Sequence, residues 1–271
     1  MNDHADKASP GLPPIRATLE HIESSRIREV SDALPKPMID VGGKPVVWHI
    51  MKLYHHYGFR RFVLCLGYKS WTIKEYFLRY RENITDFTVR PGGELEFHGG
   101  NYGNEEWEVT CAYTGLDTLT AGRLSRVRQH LEGVENFALT YGDGLADIDL
   151  PALLDLHDRE GRIGTVTAVH PTSRFGELAT DGNQVTSFAE KPQLNTGLVN
   201  GGFFLFRHEF LDYVADDDGM LESSALQQLT DDGQLSFHVH DGFWRGMDTY
   251  REYVELNELW DERRAPWRLW S

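Results

Sequence analysis

"PVVWHIMKLYHHYGFRRFVLCLGYKSWTIKEYFLRYR", residues 45–81, decides the fold class. Its first part sets Val46, Val47, Ile50, Met51, Tyr54 and Tyr57 at helical spacing. Pro45 stands at the first turn, where a missing N–H does no harm, and Gly58 marks the end. "FRRFVLCLG" (59–67) is then a short, nearly continuous apolar run closed by glycine, the pattern of a strand buried on both faces. "SWTIKEYFLRYR" (70–81) returns to helical spacing, with Ser70 as its expected cap. A helix–strand–helix alternation predicts an α/β sheet with largely parallel strands.

Working outward, "NFALTYGDG" (136–144) reads as another buried strand, ending in an acidic residue. "DLPALLDLHDREG" (149–161) is a helix with a start cap at Asp149 or nearby and a stop at Gly161, and "IGTVTAVH" (163–170) is again a strand. "TYREYVELNELWDERR" (249–264) is an amphipathic helix. Between these, "VRPGGELEFHGGNYGNEEWEVTCAYTG" (89–115) alternates and is rich in glycine, so it predicts antiparallel strands or a loop excursion beside the main sheet. The expected architecture is a mixed, mainly parallel sheet flanked by helices, with a small antiparallel β excursion. Prolines and a glycine mark residues 1–14 as a flexible extension, leaving 15–271 as one domain.

The net charge of −15 argues against a nucleic-acid backbone as partner but leaves room for small anions in local cationic pockets. No apolar run reaches the length of a membrane span, and the N-terminus lacks the apolar core of a signal peptide. Cys65 lies within the apolar run, and Cys111 stands far from it in sequence. Neither suggests a disulfide framework or a zinc site, and the usage fits a reducing cytoplasm.

Ligands of open α/β sheets bind beyond the carboxyl ends of the strands, and Asp143 in "TYGDG" stands at such an end between two glycines. A carboxylate there suits Mg²⁺ shared with substrate phosphates; equally, it suits a plain turn. Asp248 in "GFWRGMDT" reads as the N-cap of the last helix, unless the fold carries it to Asp143. Lys36, between Pro35 and Pro37, and Lys191, before Pro192, are lysines on stiffened backbone, hinting at fixed anion contacts. "VGGK" (41–44) lacks the spacing of a P-loop and reads as a hairpin turn leading into the next helix.

The order of "LPKPMIDVGGKPVVWHIMKLYHHYG", "LGYKSWTIKEYF", "TAGRLSRV", "TYGDGLADID", "SRFGEL", "FAEKP", "NGGFF", "DGFWRGMDT" and "APWRLW" resembles the sugar-1-phosphate nucleotidyltransferases, and among them the glucose-1-phosphate cytidylyltransferases. The resemblance runs from about residue 26 to the C-terminus. It implies a GT-A/Rossmann-like fold, attack of a sugar 1-phosphate on the α-phosphorus of CTP, release of pyrophosphate, and a homo-oligomer. It further implies Mg²⁺ on Asp143 and Asp248, with Arg26 and Lys36 at the reacting phosphates. Ser25, Arg123 and Gly142 would serve the nucleotide. Arg174, Glu190, Lys191, Asn200 and Gly201 would serve the sugar phosphate.

One stretch departs from the family. Counting back from "PKPM" places Arg26 on the arginine and Ser25 on the threonine of the expected G-G-x-G-T-R loop. The glycine positions then hold His21, Ile22 and Ser24, where a β-branched side chain resists positive φ, and Glu23 adds negative charge. Further departures are Glu177, "LESSAL" (221–226) with Glu222 retained, and Gly246 in place of a proline. A cytidylyltransferase with an unusual loop is the first reading. A pocket turned to another reaction, or to ligand binding and regulation without transfer, is the alternative.

Overall fold

The computed structural model describes residues 16–20, 34–99, 105–171, 177–181, 183–189, 197–214 and 219–270. The first strand, β1 (Arg16–Glu20), is followed by a short 3₁₀ turn at Lys36–Met38. The small hairpin β2 (Asp40–Val41) and β3 (Lys44–Pro45) leads into α1 (Val46–His56). Then come β4 (Arg61–Leu66), α2 (Ser70–Leu78), α3 (Tyr80–Ile84), and a hairpin of β5 (Asp86–Val89) and β6 (Leu95–His98). β7 (Glu108–Tyr113), α4 (Thr120–Arg126), β8 (Asn136–Tyr141), β9 (Gly144–Ala146), α5 (Leu150–Glu160) and β10 (Gly164–Val169) follow. The last part holds β11 (Glu177–Asp181), β12 (Gln184–Ala189), β13 (Val199–Arg207), α6 (Phe210–Tyr213), α7 (Ala225–Asp231), β14 (Leu235–His240), β15 (Trp244–Gly246) and α8 (Tyr250–Asp261).

Seven strands form the main sheet in the order β14-β10-β13-β8-β1-β4-β7. All neighbours pair in parallel except β13, which runs against both β10 and β8. The sheet is mixed and mainly parallel, as the alternation of elements predicts. The apolar run of β4 splits between two cores: Phe62, Leu64 and Leu66 face α1 and the C-terminal helix, while Val63 and Cys65 face α4, α6 and α7. Burial on both faces is why this strand needs no polar alternation.

Several expected boundaries shift for local reasons. Ser70 is not the cap of α2; that place belongs to Lys69, held in the left-handed region at φ 50°. The expected helix over 70–81 ends at Leu78, and α3 restarts at Tyr80. The glycine-rich excursion divides: β5 and β6 form the antiparallel hairpin, but Glu108–Tyr113 joins the main sheet as a parallel edge strand beside β4. Asp149 and Gly161 do bound α5, the former accepting from Ala152 N at 3.0 Å, the latter at φ 65°.

The C-terminal segment is tied down by aromatic packing. His49 is wholly buried and its ring meets those of Trp48, Trp260 and Trp267 edge-on. Trp267 Nε1 donates to His49 Nδ1 at 3.3 Å, so His49 Nε2 donates to Val41 O at 2.8 Å. Burial pushes the pKa of this imidazole down to about 4, so the ring is neutral at pH 7. The partnership anchors "APWRLW" to α1 and to the β2–β3 hairpin.

Candidate active site

The carboxyl edge of the sheet carries the site. β8 ends at Tyr141, the chain steps through buried Gly142 to Asp143, and β9 begins. β9 pairs antiparallel with β15, with Gly144 opposite Gly246, and Met247 N donates to Asp143 O at 2.8 Å. At the other end of this ribbon Phe243 N donates to Asp147 Oδ1 at 2.7 Å. The ribbon carries Asp248 to Asp143, and the capping expectation for Asp248 is corrected. Thr249 caps α8 in a capping box with Glu252, whose carboxylate accepts from the backbone of both Asp248 and Thr249 at 2.8 Å. The Asp248 side chain is thereby left for the site.

Lys36 joins the two carboxylates. Its Nζ lies 2.7 Å from Asp248 Oδ1 and 3.0 Å from Asp143 Oδ2, and its side chain is 2% exposed. Burial opposes the charge of this ammonium, but the two carboxylates outweigh it and hold its pKa above the ordinary lysine value. The Asp143 pKa is raised as well, which for a carboxyl favours the neutral form. Burial raises its carboxyl pKa, Asp248 adds to the rise, and Lys36 offsets only part of it. Two carboxylates facing one ammonium leave a net negative charge, and their hard oxygens suit a hard divalent cation. Among the described residues no third carboxylate, imidazole or thiolate completes a cluster, which suits Mg²⁺, an ion that keeps waters and phosphate oxygens as its other ligands.

Because β13 runs against its neighbours, its first residues stand at the same edge as the end of β8. Asn200 and Gly201 therefore lie beside Asp143, lining with Tyr141, Trp244 and Asp248 a cavity of about 90 Å³. Trp244 Nε1 donates to Gly201 O at 2.7 Å, and Asn200 Oδ1 accepts from Gly202 N at 2.8 Å. Gly202 has φ +78°, and a Cβ there would fall 2.6 Å from the Tyr141 ring. The Tyr141 ring packs on bare backbone, and its hydroxyl donates to Glu222. A larger cavity, about 430 Å³, opens beside β7 between Phe77, Leu78, Tyr80 and Trp107, but shares no residue with the carboxylate site.

The structure thus brings together Lys36, Gly142, Asp143, Asn200, Gly201 and Asp248. Arg123 is buried elsewhere along the edge, where its Nη1 donates to Thr114 Oγ1 at 2.8 Å and Gly115 O at 3.2 Å, holding the turn after β7. Ser25, Arg26, Arg174, Glu190 and Lys191, and with them the departed loop at residues 21–26, lie outside the described residues. Tyr141, Trp244 and Glu252 were not among the expected site residues. Only Glu252 left a signal, the T-x-x-E of its capping box.

Comparison with known proteins identifies the family. The family described as nucleotidyl transferase matches residues 23–262. A glucose-1-phosphate cytidylyltransferase of Salmonella typhi is 41% identical over 248 residues, covering 91% of this chain and 96% of that protein. A probable glucose-1-phosphate cytidylyltransferase of Bacillus subtilis is 40% identical over 250 residues, 92% of this chain and 96% of its own length. The crystal structure of HddC from Yersinia pseudotuberculosis shares the fold with a TM-score of 0.64 at 20% identity, covering 91% of this chain and 99% of that one. With a family match across most of its length, and relatives this similar end to end, the chain belongs to the sugar-1-phosphate nucleotidyltransferase family.

Proposed function

We propose that this chain transfers a cytidylyl group from CTP to a sugar 1-phosphate, with glucose 1-phosphate as first candidate, and releases pyrophosphate. The observation that carries the reading is the convergence of Asp143, Asp248 and Lys36 at the carboxyl edge of the sheet, 2.7 and 3.0 Å apart through the ammonium. The two relatives near 40% identity support the choice of cytidylyl donor and glucosyl acceptor.

The chemistry asks little of a general base. A phosphate monoester with its second pKa at about 6 is mostly ionised near neutral pH. In-line placement and neutralisation of charge do the rest. Mg²⁺ held by Asp143 and Asp248 would neutralise phosphate charge as it builds on the leaving group. Lys36 contacts phosphate at the reacting end, and Arg26 neutralises the triphosphate. Ser25 and Gly142 approach the nucleotide, and Arg123 serves the base side through the turn it holds. Asn200 and Gly201 line the sugar pocket together with Arg174, while Lys191 takes the sugar phosphate and Glu190 the sugar hydroxyls. One domain, residues 15–271, carries all of this. We place the enzyme in the cytoplasm, in keeping with two cysteines, Cys65 and Cys111, that form no disulfide.

The test is pyrophosphate release with Mg²⁺ and glucose 1-phosphate, offering CTP, UTP, dTTP, ATP and GTP in turn, with Asp143→Asn as control. Release with CTP that the variant abolishes supports the reading. A folded protein that releases none with any nucleotide refutes it for this acceptor.

A further inference from the structure

We propose that Lys36 reserves the carboxylate pair: its ammonium fills the place between Asp143 and Asp248, so the nucleotide-free enzyme takes up divalent metal weakly, and metal enters as phosphates draw Lys36 away. The proposal rests on the reading of Asp143 and Asp248 as the metal-holding pair.

The geometry is specific. An ammonium has three donors and no acceptor, and here two of the three go to the two carboxylates. Among the described residues no other cation forms an ion pair with either acid. A divalent cation on the same oxygens would face the Lys36 charge at close range, where the side chains of Lys36 and Asp143 are 2% and 19% exposed and that of Asp248 44%, so solvent screens the repulsion only in part. Lysine and metal therefore exclude one another.

The route of exchange is also legible. Lys36 begins a 3₁₀ turn between two prolines, in which Met38 N donates to Pro35 O at 2.8 Å and Ile39 N to Lys36 O at 3.0 Å. The backbone is fixed, so any movement belongs to the four-carbon side chain, whose rotatable stem can carry the charge to a new partner. An incoming triphosphate offers that partner. Once Lys36 turns to phosphate, the carboxylates lose their cation and become a site for the metal. Lys36 thus acts as a positioning residue before it acts on phosphate.

Mn²⁺ is the probe, with free ion counted by electron paramagnetic resonance in the absence of nucleotide. The wild-type chain is expected to bind with a Kd of about 1 mM or weaker. Lys36→Met and Lys36→Gln are expected to bind about tenfold tighter or more, and Lys36→Arg, which keeps the charge, to stay near wild type. Adding Asp143→Asn to Lys36→Met should remove the gain. The melting temperature of Lys36→Met should rise with Mn²⁺ more than that of wild type. Equal affinity in wild type and Lys36→Met overturns the proposal. If the variants do not fold, the wild type alone decides: a Kd below about 100 μM without nucleotide overturns it. None of these titrations uses CTP, so absent transfer activity leaves them readable, and the two failures are distinct.

Discussion

Replacing Gly42 by alanine probes the contact on which the C-terminal segment rests. Gly42 and Gly43 form the two-residue turn between β2 and β3, both at positive φ, 61° and 82°. An alanine in this left-handed region costs about 1–2 kcal/mol at either position. The two sites differ in what lies above them. A Cβ on Gly43 meets nothing within 4 Å, whereas one on Gly42 falls 1.9 Å from Trp260 Cδ1, part of the aromatic cage around His49. Trp260 cannot move freely, because it packs on His49 and Trp267, and Gly42 N is itself held by Asn257 Oδ1 at 3.0 Å. Overpacking of this kind adds about 1–3 kcal/mol. With about 2–4 °C per kcal/mol for a domain of this class, Gly43→Ala should lower the melting temperature by about 4–5 °C and Gly42→Ala by about 10 °C. Thermal unfolding of the two variants side by side, followed by tryptophan fluorescence, reads the difference. Equal shifts would refute the packing of Trp260 over Gly42, and with it the account of how "APWRLW" is anchored.

Acid should act through His49. Its pKa falls from an ordinary 6.5 to about 4 on folding, so the stability that comes from keeping it neutral is fully present above pH 6.5 and lost as pH falls toward 4. In urea unfolding, the advantage of wild type over His49→Gln should shrink by roughly 2–3 kcal/mol between pH 7 and pH 4.5; a constant gap would remove His49 as the cause. Glu252→Ala breaks the capping box that frees the Asp248 side chain. It should cost about 1 kcal/mol of stability and raise the Mg²⁺ needed for half-maximal activity about tenfold, and an unchanged Mg²⁺ curve would separate the cap from the site. Tyr141→Phe removes the donor from Glu222, whose other carboxylate oxygen is already buried with no partner among the described residues, at a cost of about 1–3 kcal/mol. An unaltered melting temperature would show that this bond contributes nothing.

What could be read from the sequence divides along the range of the interactions concerned. α5 was legible at both ends because its signals are local: a capping aspartate, a proline in the first turn, and a glycine at φ 65° to stop it. β4 was legible because burial on both faces leaves an unbroken apolar run. The cap of α2 was not, since Lys69 adopts a left-handed conformation that its side chain does not favour, while Ser70 beside it looks like a good cap. β7 reads as part of the antiparallel excursion because its sequence alternates polar Glu108 and Thr110 with Val109 and Cys111, just as a hairpin strand does. Asp248 and Thr249 are both good capping residues, and only the Glu252 partner tells them apart. The union of Asp143 with Asp248 depends on β9 meeting β15, a pairing across the chain that no local pattern announces.

That pairing bears on how the protein comes into being on the ribosome. Every strand of the main sheet, through β14, has been synthesised before β15 emerges. Asp248 stands 212 positions after Lys36. A nascent or prematurely ended chain can thus build the whole sheet and still lack one of its two acids. The acid pair therefore waits on the ribbon, and so on synthesis past Asp248, after every strand of the main sheet has been made.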